Sequence, residues 1–163
     1  MNDLKDLLLV FLLFILFLLI LPVALILFLL ISPILWYQER LFQKEYQAYL
    51  QELEDKNFFC YNNRRKGKEY IEKEIIPDLP QGVEVLFLNG RKLESGPYKK
   101  EFMSRAFYEF KNYSRFPQLL KIREGKTYDT SLNHELFLCV NQGKSRSIWE
   151  EKLNKFYLPD SFQ

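Results

Sequence analysis

The sequence predicts a single N-terminal transmembrane helix followed by a small α/β sandwich domain, and three observations predict it. Leu7 to Ile31 is an unbroken apolar run in which every residue except Pro22 and Ala24 is Leu, Ile, Val or Phe. From Trp36 onward the composition turns charged and aromatic, and holds most of the 15 Phe and all 10 Tyr. In that second portion, short apolar runs bounded by Gly, Pro and Asn alternate with stretches whose apolar residues recur every three or four positions, the pattern of strands alternating with helices. The chain divides into an anchor over 1–35, a juxtamembrane helix over 36–56 and a soluble α/β domain over 57–163. About 105 residues suffice for one small domain with a single core.

The anchor is argued from length and transfer energy. A helix from Leu7 to Ile31 rises roughly 37 Å at 1.5 Å per residue, against a hydrocarbon core of about 30 Å. Leu, Ile, Val and Phe each favour insertion by about 0.3 to 0.6 kcal/mol near the centre of such a helix. Pro22 costs about 3 kcal/mol in a soluble helix interior and less in a membrane, so insertion wins. A cleaved signal peptide would need a basic start and small residues at a cleavage site. Here Lys5 is balanced by Asp3 and Asp6, and the run ends in Ser32-Pro33. A re-entrant hairpin turning at Pro22 is the open alternative, because each flank has a half-membrane length.

Basic residues near the two ends set the orientation. Lys5 stands alone before the run, whereas Arg40 and Lys44 follow it, with Arg64, Arg65, Lys66 and Lys68 farther on. The expectation is a single-pass protein with its C-terminal domain on the cytoplasmic face. Two cysteines, Cys60 and Cys139, are too few for a disulfide scaffold and would be free thiols there. Asn112-Tyr113-Ser114 would act as a glycosylation acceptor only with the opposite orientation. A net charge of +2 is too balanced to imply nucleic acid as a partner.

From Trp36 to Lys56 the sequence lacks Gly and Pro, and Phe42, Tyr46, Tyr49 and Leu53 form one helical stripe. The stripe packs on its own domain, or it docks a protein partner or a second copy of the chain as a parallel dimer. Phe58 to Tyr61 reads as a buried strand containing Cys60, and Glu69 to Ile76 as a helix stopped by Pro77. Val83 to Leu88 is the clearest strand, closed by Asn89-Gly90, with a loop over Arg91 to Pro97. Tyr98 to Lys111 repeats apolar residues every four positions and reads as a helix. Gln118 to Arg123 and Lys126 to Thr130 flank Glu124-Gly125 as a β-hairpin. Ser131 or Asn133 starts a short helix that Gly143 ends, and Ser147-Ile148-Trp149-Glu150 reads as a capping box for a last helix, ended at Leu158-Pro159.

This order, with Pro117 opening the first hairpin strand, resembles a thioredoxin-like domain over about Phe58 to Tyr157. The resemblance implies a cis-proline at Pro117. It departs where a redox thioredoxin carries C-x-x-C, because the corresponding stretch is Asn62-Asn63-Arg64-Arg65-Lys66-Gly67 and Cys60 precedes it inside the strand. Leu132 to Gly143 is an insertion relative to that pattern.

Other chemistries find little purchase. His134 is the only histidine, so no metal cluster and no cofactor are expected. No phosphate-binding glycine loop, dinucleotide fingerprint or serine elbow occurs. Arg64, Arg65, Lys66 and Lys68 could contact anionic lipid headgroups or an acidic ligand, or form a solvated loop. The leading expectation is a non-catalytic binding or scaffolding module held at the bilayer. The alternatives are a diverged thioredoxin-like or transferase-type enzyme using Cys60 as a reactive thiol, and an accessory subunit of a membrane complex.

Overall fold

A computed structural model describes residues 2–158; the side chains of residues 2–5, of Arg65 and of Lys66, and Pro159 onward, lie outside the described residues. The chain forms two compact units, Met1–Glu45 and Tyr46–Gln163.

Helix α1 runs over Asn2–Glu52 without interruption, through both Pro22 and Pro33. The hairpin turn at Pro22 is therefore corrected: a proline removes one backbone donor, and the surrounding run of leucines supplies no competing turn residue. The large apolar side chains from Leu7 to Leu35 are all exposed. By length and composition this helix could cross a membrane. Near its aromatic end the Arg40 guanidinium lies over the Trp36 ring at 4.5 Å.

In the second unit the last turns of α1 bury Tyr46, Tyr49 and Leu50, and Leu53 just after it is buried as well. Asp55 then adopts a positive φ of 64° and reverses the chain, a conformation short polar side chains tolerate. Strands β1 (Asn57–Asn62), β2 (Val83–Asn89), β3 (Lys92–Glu94), β4 (Gln118–Arg123) and β5 (Lys126–Ser131) form one five-stranded sheet in the order β3-β2-β1-β4-β5. Only β1 and β2 are parallel; β1 pairs antiparallel with β4, and the two flanking pairs are antiparallel hairpins. The central β1 is buried along Phe58 to Tyr61.

Alternation along β1 sends neighbouring side chains to opposite faces. Phe59 and Tyr61 join a core with Ile71, Ile75, Leu119, Leu132, Leu136, Trp149 and Leu153. Leu119 comes from β4 beside them and Leu132 caps α4 (Asn133–Gln142); the others come from the continuation of α2 (Arg65–Tyr70), from α4 and from α5 (Ser147–Tyr157). Phe58, on the other side, meets the Tyr98 ring edge-on at 5.1 Å. There α3 (Lys100–Tyr108) packs Phe102 against Tyr46 and Tyr49 of α1, at 6.2 and 5.1 Å. Each fully buried Leu or Phe contributes about 1.5–3 kcal/mol, which binds helices to both faces.

Several local expectations are corrected. Lys92–Glu94, read as loop, is the edge strand β3, because Gly90 at φ 63° closes a two-residue hairpin that pairs Leu88 with Leu93. The first crossover helix starts at Arg65 rather than Glu69, so the basic run lies partly inside it. Its continuation widens to a π turn over Ile71–Ile75, then tightens to a 3-10 turn over Ile76–Asp78. Helix α3 is shorter at both ends than the periodicity suggests. The capping box at Ser147 does not form: Arg146 is the N-cap and the Ser147 hydroxyl donates to Ser145 Oγ at 3.0 Å instead.

Candidate binding cleft

Because β1 and β2 are parallel, Asn62 and Leu88 emerge together at one end of the sheet. In open α/β sheets, crevices outside the carboxyl ends of parallel strands are where ligands bind. A cleft of about 440 Å³ lies there, bounded by Asn62 and Leu88, by Gly90 and Arg91 of the β2–β3 turn, and by Tyr108, Tyr113, Ser114 and Phe116. The Tyr108 and Tyr113 rings stack within 4° of parallel at 5.9 Å, and stay 77 % and 42 % exposed. Phe116, buried behind them, meets Tyr113 edge-on at 5.9 Å. The Arg91 side chain is exposed and has no hydrogen-bond or ion-pair partner among the described residues.

The loop carrying Tyr113 and Ser114 is held from beneath. Arg115 N–H donates to the Asn112 carbonyl at 2.9 Å, closing a turn. The amide of Gln118, itself fully buried, donates to the carbonyls of Asn112 at 2.6 Å and Arg115 at 3.1 Å. Ser131 Oγ donates a further bond to the Arg115 carbonyl at 2.5 Å, and Lys111 N–H donates to Asp129 at 3.2 Å. Burying an amide nitrogen without partners costs about 1–3 kcal/mol, so these bonds offset a penalty on that side of the group as well as fixing the loop, while Gln118 Oε1 has no hydrogen-bond partner among the described residues. Sequence reading did not single out Gln118. The available signal was a polar residue at the head of the apolar Leu119-Leu120 pair in a strand read as one arm of a hairpin. The Phe116–Pro117 peptide bond preceding it is cis, with Pro117 at the mouth of β4.

The other sequence-predicted positions fall elsewhere. Cys60 lies in mid-sheet opposite Gln118, fully buried, and burial, reinforced by the charge of Asp129, pushes its thiol pKa up. A nucleophilic cysteine needs the reverse, a thiolate stabilised by exposure or a nearby cation. Cys139 is also buried and unbridged, its thiol donating to the Ser145 carbonyl at 3.5 Å.

The basic run is dispersed. Arg64 is the extended residue before α2, exposed, and Lys68 lies over the Phe87 ring at 5.0 Å with Glu72 3.7 Å away. Arg65 and Lys66 side chains lie outside the described residues. α4 packs across α2: a Cβ at Gly67 would meet the Leu136 side chain at 3.3 Å. At Gly67 the stretch Asn62 to Gly67 is thus covered by α4, within the segment read as an insertion.

The docking stripe is corrected for three of its four members. Tyr46, Tyr49 and Leu53 are buried within the domain. Tyr46 OH donates to Glu109 Oε2 at 2.9 Å, while Tyr49 OH accepts the Lys99 N–H at 2.9 Å. These hydroxyl partners lie in α3 and its flanks, far along the chain, so helical periodicity alone could not reveal them. Phe42, in the first unit, is half-buried.

The cleft offers a stacked aromatic pair, the Arg91 cation, unpaired among the described residues, the Asn62 amide at the end of β1 and the Ser114 hydroxyl on a fixed loop, a combination suited to binding. Among the described residues no group of three or more His, Cys, Asp or Glu could hold a metal ion. Compared with known proteins, the chain matches no family model, no curated protein and no solved structure.

Proposed function

We propose that this chain is a single-pass membrane-anchored protein whose C-terminal domain is a thioredoxin-like, non-catalytic binding module, holding a carboxylate-bearing segment of a protein partner in the cleft beside Pro117. The observation that carries the reading is the cleft itself: Tyr108 at the end of α3 and Tyr113, on a loop held by the buried Gln118, stack beside Arg91, which is unpaired among the described residues. Aromatic faces give a partner chain contact area at small entropic cost, and a guanidinium pairs with a carboxylate in a fixed fork geometry. Because the loop is already held, little ordering is needed on binding.

The thioredoxin-like reading is supported by the sub-order β2-β1-β4-β5, with β1 and β2 parallel and β4 and β5 returning antiparallel, and by Pro117 before β4. The non-catalytic reading is supported by Asn62-Asn63-Arg64-Arg65 in the dithiol position and by the burial of Cys60. The anchor is supported by the length and composition of α1. The cytoplasmic placement of the domain rests on the charge bias around the apolar run.

A photo-crosslinking residue placed at Tyr113 of the full chain in its own membrane tests the binding reading, with the exposed Glu151 of α5 as the control position. The expected result is a defined protein adduct from position 113 that Arg91→Glu abolishes. Identical adducts from position 151, or none from 113, would overturn it. An impermeant thiol reagent on intact cells tests the side: labelling of Cys60 and Cys139 only after permeabilisation and denaturation is expected, and labelling of denatured but sealed membranes would reverse the orientation.

A further inference from the structure

The loop over Asn112 to Phe116 has two sides, and only one faces the cleft. Its other side, at Asn112 and Arg115, borders a second cavity of about 360 Å³ closed by Thr130 and Ser131 of β5, Asn133, His134 and Phe137 of α4, and Lys152 of α5. Arg115, His134 and Lys152, from three separate elements, all line it. Neither the Arg115 guanidinium nor the His134 imidazole has a hydrogen-bond or ion-pair partner among the described residues. Lys152 gives one contact to Glu135, at 2.8 Å, which leaves two of its three donors for another acceptor.

We propose that this cavity binds a phosphate monoester, with Arg115, His134 and Lys152 as its ligands. Charge favours an anion: Arg115 and Lys152 supply two positive charges, Glu135 cancels one, and the amino end of α4 adds about half a charge. Donor count favours phosphate, whose three terminal oxygens each take hydrogen bonds, over a carboxylate with two oxygens. The guanidinium can pair two of those oxygens in parallel while Lys152 and the imidazole approach the third. The exposed Phe137 ring on the cavity wall gives the carbon substituent of an ester an apolar seat, which inorganic phosphate would leave unused. The Arg115 carbonyl is pinned by Gln118 and Ser131, so its backbone is placed before any ligand arrives. The site is separate from the cleft, and its test does not depend on the cleft reading.

His134 is the chain's only histidine, so ring-labelled histidine gives a single reporter inside the cavity. Phenyl phosphate titrated into the full chain in detergent should move the His134 ring signals saturably, and more tightly than inorganic phosphate does. Arg115→Gln, on an exposed side chain, should weaken binding roughly tenfold, the loss of one charge-assisted pair. Arg115→Lys should recover part of it, and Arg91→Gln in the cleft should leave it unchanged. Signals that follow ionic strength alone, with sodium chloride reproducing the effect, would overturn the site, as would equal weakening by Arg91→Gln. Nanodiscs of phosphatidylcholine with and without phosphatidic acid distinguish the source. A shift with phosphatidic acid and no added ester assigns a lipid headgroup, and a shift only on adding phenyl phosphate assigns a soluble ester. A reporter silent in both overturns the proposal.

Discussion

Two pairs of tyrosines have opposite fates in this domain. Tyr46 and Tyr49, a turn apart near the end of α1, are buried, and each hydroxyl has a partner from a distant element. Tyr108 and Tyr113, at the end of α3 and in the following loop, stack on each other and keep their faces toward solvent. Both pairs lie in stretches where aromatics recur at short spacing. The difference lies in whether the fold supplies a polar partner at the phenol tip: Glu109 and the Lys99 N–H are held in place for the first pair. A tyrosine given both an apolar pocket and a hydroxyl partner becomes core, whereas one given only another ring becomes surface, available to something else.

The largest break in that comparison should come from Tyr46→Ala. Emptying a buried aromatic site costs about 3–5 kcal/mol, a large fraction of the roughly 5–15 kcal/mol that holds a domain folded. Denaturant unfolding of the full chain in detergent should show the midpoint collapsing, and a loss under 1 kcal/mol would remove Tyr46 from the core. Gln118→Leu comes next, at about 1–3 kcal/mol, because the carbonyls of Asn112 and Arg115 each lose one of two donors, at about 0.5–1.5 kcal/mol a bond. The same variant should loosen the Tyr113 loop and reduce crosslinking from position 113; unchanged crosslinking would mean that Gln118 does not hold the cleft.

Alkaline titration sharpens the contrast without mutation. Burial first, then the hydrogen bond to Glu72, pushes the Tyr61 phenol up to about 12, and Tyr98 is pushed to about 12 by burial and its bond to Glu84. Burial and Glu109 push Tyr46 up as well. An unfolded tyrosine ionises near pH 10. The folded state therefore keeps its protons longer, and this contribution is whole below pH 10 and is lost as pH rises from 10 toward 12. Ultraviolet titration should show one fraction of the tyrosines ionising before unfolding and the rest only with it. A single transition shared by all tyrosines in the native state would contradict the buried set. The smallest effect is expected from Tyr108→Ala, within about 0.5 kcal/mol in stability. A cost comparable with that of Tyr46→Ala would make the exposed pair structural after all.

The legibility of the chain follows the range of the interactions that decide each feature. β4, the Glu124-Gly125 turn and the stop at Gly143 depend on neighbours in sequence. They appear where alternation and glycine place them, with Glu124, Gly125 and Gly143 all at positive φ. The edge strand β3 escaped because three residues carry too little periodicity, and only pairing with β2 makes them a strand. The capping box failed because its residues have the right spacing, while the approach of the chain through Ser145 and Arg146 sets where α5 begins. Gln118 could be noticed as a misplaced polar residue, but its role needs the two carbonyls brought to it by the turn at Asn112.

By itself, the sequence determined the long apolar helix, the central strands and the absence of a cysteine pair in the first crossover. Each of these is written in consecutive residues, through length, alternation or simple composition. The tertiary structure alone decided which tyrosines are buried, that Cys60 is sealed in mid-sheet, and that Arg91 and the stacked tyrosines border one cleft. Those outcomes depend on strand order and on partners many residues away, and burial and hydrogen bonding are properties of that assembled neighbourhood rather than of any stretch of chain.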